Sequence, residues 1–238
     1  MSSPRAVLFD LDDTLFDHRA TSRAALSALR EEVPALQALA FDELERRHVA
    51  VLEELHHSGV MQGVMSVDEA REERFSRLLE AAGTPASPEA AAAAAARYRD
   101  LYVAARREVP GARALVEALA RRVRLAVVSN NILAEQEAKL NELGMRPFVD
   151  ALVVSAEVGV SKPDPAIFQI ALARLGLPPG EAVMVGDSWP IDIVGATGAG
   201  LRAVWLNRTG EPCPDALLAA EIRSLEPTTA VSRVVLGT

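Results

Sequence analysis

Cysteine is almost missing from this 238-residue chain: Cys213 stands alone, so no intrachain disulfide can form. A lone thiol fits a reducing compartment, and its setting in Pro212-Cys213-Pro214 marks a loop, not a redox centre. Basic residues are outnumbered, with 25 Lys and Arg against 33 Asp and Glu. No stretch gathers positive charge into a stripe, which argues against a nucleic-acid polymer as partner. No segment approaches the roughly 20 apolar residues of a membrane span, and Asp10 falls where a secretory signal would be apolar. A cytoplasmic protein with no membrane partner is the expectation. There is no internal repeat. His48, His56 and His57 have no accompanying Cys or Asp pattern that would suggest zinc, and are expected to be solvated on a helix.

What the chain does have is apolar material, half of its residues, enough for one large domain or a core with a substantial insertion. The stretch Val7-Leu8-Phe9-Asp10-Leu11-Asp12-Asp13-Thr14-Leu15 organises the rest. A short apolar run reads as a strand covered on both faces, as in a parallel sheet. Three carboxylates follow at its carboxyl end, where open α/β sheets bind ligands. Acids so close repel one another and require a cation, a proton or water. Asp10 and Asp12, two residues apart on an extended backbone, are expected to point the same way.

From 19 to 107 the chain is rich in Ala, Leu, Glu and Arg, all good helix formers, with helices expected at 19–32, 41–57, 67–82 and 88–107. Beyond Val109-Pro110-Gly111 the pattern alternates. Helices are expected at 112–121, 132–143, 165–175 and 190–199, and strands at 124–128, 151–154, 182–185 and 202–206. Strands alternating with helices at this interval predict an α/β fold: a doubly wound parallel-sheet (Rossmann-like) core. The all-helical block interrupts that core just after its first strand. The expected division is 1–16 with 109–238 for the core and 17–108 for the insertion.

Polar groups of complementary kinds collect at four strand ends. They are Asp10 and Asp12; Ser129 and Asn130; Ser161-Lys162-Pro163-Asp164-Pro165; and Gly186-Asp187-Ser188-Trp189-Pro190-Ile191-Asp192. Taken singly, each has a plainer reading. Ser129 and Asn130 suit a helix cap, and Ser188 a helix N-cap with Pro190 in the first turn. Lys162 alone would be a surface lysine, and Asp192 a complement to the helix dipole. In a parallel sheet, however, all four ends share one edge.

Together and in this order, the four segments resemble the haloacid dehalogenase superfamily of hydrolases. The motifs that carry the resemblance are Phe9-Asp10-Leu11-Asp12-Asp13-Thr14-Leu15, Val127-Val128-Ser129-Asn130, Ser161-Lys162-Pro163, and Gly186-Asp187 with Asp192 and Gly195-Ala196. The helical insertion resembles that family's cap between the first and second motifs. The resemblance implies Asp10 as nucleophile and Asp12 as general acid and base. It implies Mg²⁺ held by the Asp10 carboxylate, the Asp12 carbonyl and the Asp187 carboxylate, with Asp192 orienting water or Lys162. Ser129, the Asn130 amide and Lys162 would hold the phosphoryl oxygens, with Lys162 offsetting charge. Thr14 would steady the nucleophile loop, Asp13 would shape it, and Asn131, where many relatives carry Gly, would lie near the leaving group.

An acid at Asp12 distinguishes phosphoryl transfer from carbon–halogen cleavage, which needs no proton for an alkoxide. The implied activity is a phosphatase of a small phosphorylated metabolite, a nucleoside monophosphate or sugar phosphate. Within the family the chain is similar to the nucleoside-monophosphate and acylneuraminate-phosphate phosphatases. A sugar-phosphate mutase is the alternative, and a regulatory module without catalysis a more distant one. His18 is read as a hinge or surface residue with a possible substrate contact, and Trp189 as helix-start packing. Either a monomer or a homodimer fits an Ala- and Leu-rich insertion.

Overall fold

The first strand is four residues long, wholly apolar and buried throughout, so it needs neighbours on both edges and cover on both faces. The computed structural model, which describes residues 3–238, provides them. Six strands form one sheet: β1 (Ala6–Phe9), β2 (Arg124–Ser129), β3 (Ala151–Val154), β4 (Ala182–Gly186), β5 (Arg202–Leu206) and β6 (Ala220–Ile222). Their order is β3-β2-β1-β4-β5-β6 and every pairing is parallel. Phe9 is level with Val127 of β2 and Val185 of β4, so the carboxyl ends of the three central strands finish side by side. This is the doubly wound α/β core that the strand–helix alternation predicts.

The chain divides into two compact units, Met1–Asp17 with Arg107–Thr238, and His18–Arg106. The second is all helical: α1 (His18–Glu32), α2 (Phe41–Leu55), α3 (Val67–Ala81) and α4 (Pro88–Ala104). Its helix starts are written in the sequence. Ser66 and Glu69 form a reciprocal capping box on α3, and Ser87 caps α4 ahead of Pro88. The expected helix at 41–57 ends two residues early, and a π-helical turn (His56–Val60) follows.

The sheet unit carries α5 (Ala112–Ala120), α6 (Leu133–Glu142), α7 (Ser155–Val158), α8 (Pro165–Leu175), α9 (Val194–Gly198) and α10 (Thr228–Leu236). Asp164 caps α8, Pro165 opens it, and Gly176 closes it in a left-handed conformation. The inner face of α8 (Ile167, Phe168, Ala171, Leu172) packs on Leu8, Val128, Val153 and Met184 of the sheet. The helix expected at 190–199 is instead a π-helical turn (Trp189–Ile193) running into the short α9. Ser188 does not cap it with its side chain. Its backbone N–H instead donates to Asp192 Oδ2 at 3.0 Å. Among the described residues, no helix is long and apolar enough to cross a membrane.

Gly195 fixes how this turn meets the rest of the core. A Cβ there would lie 2.9 Å from Phe168 and from the Pro163 backbone, so only glycine lets α9 approach the segment that follows Lys162. We predict that Gly195→Ala destabilises the protein by about 1–3 kcal/mol through overpacking, read from urea unfolding. Unchanged stability would mean that this contact yields freely.

Candidate active site

Asp10 is the first residue beyond β1, and its N–H donates to the Val185 carbonyl of β4 at 2.9 Å. It is therefore set by the sheet itself. The residue is buried, only 6% exposed. Lys162 Nζ lies 2.6 Å from Asp10 Oδ1 and 2.6 Å from Asp192 Oδ1, joining two carboxylates that come from distant parts of the chain. The Thr14 hydroxyl donates to Asp10 Oδ2 at 3.2 Å.

Lys162 is held by its backbone. The Asn130 side chain accepts the Lys162 N–H at 2.7 Å and donates to the Lys162 carbonyl at 2.8 Å. Asn130 thus ties the end of β2 to the lysine loop, a role for its side chain that the sequence did not suggest. Gly186 is equally specific. A Cβ there would meet the Asp192 Cβ and Cγ at 2.5 Å, so glycine is what allows Asp192 to reach Lys162 past the end of β4.

Burial pushes the Asp10 carboxyl well above the usual carboxylate range; Lys162 pulls it down, while Asp192, Asp187 and Asp12 push it further up. Burial works against the charge on Lys162 too, but Asp10 and Asp192 outweigh it and hold the ammonium above its ordinary range. Asp10, Asp187 and Asp192 present carboxylate oxygens within 4.8 Å of one another. Lys162 offsets one of these three charges. A cluster of hard oxygen donors with excess negative charge is the donor chemistry of a divalent cation such as Mg²⁺.

Asp12 has a different set of partners. Strand β1 ends at Phe9, and Asp13 adopts a left-handed φ of 63°, a conformation Asp tolerates better than most residues. Three N–H groups, of Thr14, Leu15 and Phe16, turn back onto the Leu11 carbonyl. The Asp12 carboxylate receives Lys139 Nζ at 2.5 Å, Gln136 Nε2 at 2.8 Å and Asn131 Nδ2 at 3.2 Å. Gln136 also donates to the buried Ser129 hydroxyl at 2.6 Å, joining the ends of β1 and β2. Gln136 and Lys139 were missed from sequence. Their spacing of three on α6 was the available signal, because it puts both polar groups on one helix face.

Other supports come from later in the chain. Trp205 on β5 donates its indole N–H to the Asp187 carbonyl at 2.8 Å and meets Trp189 edge-on at 5.1 Å. Trp189 therefore has the packing role expected of it. Arg208 grips both carboxylate oxygens of Asp17 at 3.2 and 3.0 Å, pinning the far end of the loop that begins at Asp10. Asp10, Thr14, Lys162, Asp187 and Asp192 thus converge, and Asp12, Ser129 and Asn131 form an adjoining network through α6.

This strand order and these motifs match known proteins. A family model described as haloacid dehalogenase-like hydrolase matches residues 4–200. The glyceraldehyde 3-phosphate phosphatase of Methanopyrus kandleri is 34% identical over 205 residues, covering 86% of this chain and 84% of that protein. The phosphoserine phosphatase of Thermus thermophilus is 35% identical over 227 residues, covering 87% and 90%. Among solved structures, the HAD-hydrolase YfnB of Bacillus subtilis bound to magnesium superposes with a TM-score of 0.75 at 28% identity, covering 97% of this chain and 99% of that one. The chain belongs to the haloacid dehalogenase-like hydrolase family.

Removing Lys162 should expose how strained the cluster is without it. We predict that Lys162→Met loses about 3–5 kcal/mol of stability in metal-free buffer, because it leaves buried carboxylates unpaired. The Asp10 pKa, already raised, would then lie further above its unfolded value, so the deficit grows as pH rises from the unfolded towards the folded value and shrinks in acid. Urea unfolding at several pH values checks this; an unchanged free energy would contradict the pairing.

Proposed function

We propose that the protein is a Mg²⁺-dependent phosphomonoester hydrolase of a small phosphorylated metabolite, acting through an aspartyl-phosphate on Asp10. The observation that carries this reading is the Asp10 carboxylate, buried and backed by Lys162, with Asp187 and Asp192 within 4.8 Å. The phosphatase names of the relatives support hydrolysis over the mutase alternative.

In the first step Asp10 attacks phosphorus in line, forming an acyl-phosphate O–P bond as the ester P–O bond breaks. Asp12 enters this step protonated and gives its proton to the departing oxygen. In the second, the Asp12 carboxylate takes a proton from the water that attacks phosphorus, and inorganic phosphate leaves Asp10 free again. The contacts from Lys139, Gln136 and Asn131 hold Asp12 in one orientation through both transfers. Ser129, the Asn130 backbone amide and Lys162 receive the phosphoryl oxygens, and Asn131 borders the leaving group. Thr14 steadies the nucleophile.

Mg²⁺, when bound by the Asp10 and Asp187 carboxylates and the Asp12 carbonyl, would supply the charge neutralisation that lets a carboxylate approach a phosphate dianion. Asp192, tied to Lys162 and to the Ser188 N–H, orients the lysine or a water. In this reading the helical insertion, 17–108, is a cap that selects the leaving group, which would be a sugar or a nucleoside.

Asp10→Asn should keep its fold, by circular dichroism, and lose at least about 1,000-fold in kcat on an aryl phosphate with Mg²⁺. Near-normal turnover would rule out the nucleophile. Release of inorganic phosphate by the wild type separates hydrolysis from mutation, which would yield an isomeric sugar phosphate instead.

A further inference from the structure

The helical unit buries a positive charge that its own side chains do not answer. Arg74 on α3 is 5% exposed, and its Nε is buried without a hydrogen-bonding partner. Its guanidinium lies 5.4 Å from the Phe75 ring centre and 5.2 Å from that of Tyr98. Beside it, His48 on α2 is 0% exposed, and both of its ring nitrogens are unpartnered. The histidine ring sits 5.0 Å from Tyr98 and 6.1 Å from Phe75. His48 was expected in solvent; it instead faces inward, and His56 is half-buried, while the His57 side chain lies outside the described residues.

Three nitrogen atoms in one place, His48 Nδ1 and Nε2 and Arg74 Nε, are thus buried without partners. Native proteins satisfy such groups almost always, with protein, water or a ligand. Cation–π contacts recover only a fraction of what burying an unpaired guanidinium costs. Burial draws the Arg74 pKa down to about 10, and no carboxylate is among the groups acting on it. Burial, then Arg74 and His18, hold His48 well below the ordinary histidine range, so it is neutral.

We propose that Arg74, with His48 and Tyr98 around it, forms a binding site for a carboxylate inside the helical unit. One guanidinium matches one carboxylate in charge, and its planar fork matches it in shape. Arg71, the other cation acting on Arg74, is already paired with Asp68, so one positive charge is left for a ligand. The carboxylate is carried by a separate small acid.

The test uses two readouts. The Arg74 Nε–H resonance, assigned by its absence in Arg74→Lys, should shift when glycolate is added and not when inorganic phosphate is. Glycolate should also raise the thermal unfolding midpoint of the wild type and leave that of Arg74→Met unchanged. No glycolate shift overturns the proposal, as does a shift with phosphate alone.

Discussion

A lysine held between two buried carboxylates is the interaction on which the rest of this structure depends. Lys162 contributes one charge to a space that three acids enter. Without it, Asp10 and Asp192 would face each other in a low-dielectric interior, where like charges are tolerated poorly. Much of the surrounding sequence serves this arrangement. Asn130 fixes the lysine backbone, Gly186 clears room for Asp192, and Gly195 lets the following turn come close to Pro163. The sheet then delivers Asp10 by a main-chain hydrogen bond from the neighbouring strand.

The second carboxylate of the loop after β1 is managed in another way. Asp12 sits within reach of Lys139, a lysine whose side chain is itself buried against Phe16. Two acids separated by one residue thereby acquire different counter-charges.

Much of this was legible in advance, for physical reasons. Strands buried on both faces read as unbroken apolar runs, so β1, β3 and β5 appear nearly at their observed bounds. Proline and glycine punctuate α8 so clearly that both of its ends were evident. The polar groups at strand ends were also evident, because a parallel sheet puts such ends on one edge. What was hidden depended on contacts between distant positions. β6 is short and largely exposed, and α10 is rich in β-branched residues, which favour helix only weakly. Gln136 and Lys139 look like ordinary helix-surface residues until α6 is packed beside the catalytic loop. His48 looked solvated because its partners, Phe75 and Tyr98, lie on other helices.

The central claim is that Asp10 becomes covalently phosphorylated. Repeated turnover of a phosphomonoester in oxygen-18 water, followed by peptide mass spectrometry, tests it most directly. Water attacks phosphorus, so a single turnover labels the released phosphate and leaves the Asp10 carboxylate unlabelled. The account therefore predicts an acid-quenched phosphoryl adduct on the peptide containing Asp10, with the label found in inorganic phosphate and not in that carboxylate. An adduct on another residue, or steady turnover with no adduct under any quench, would contradict it.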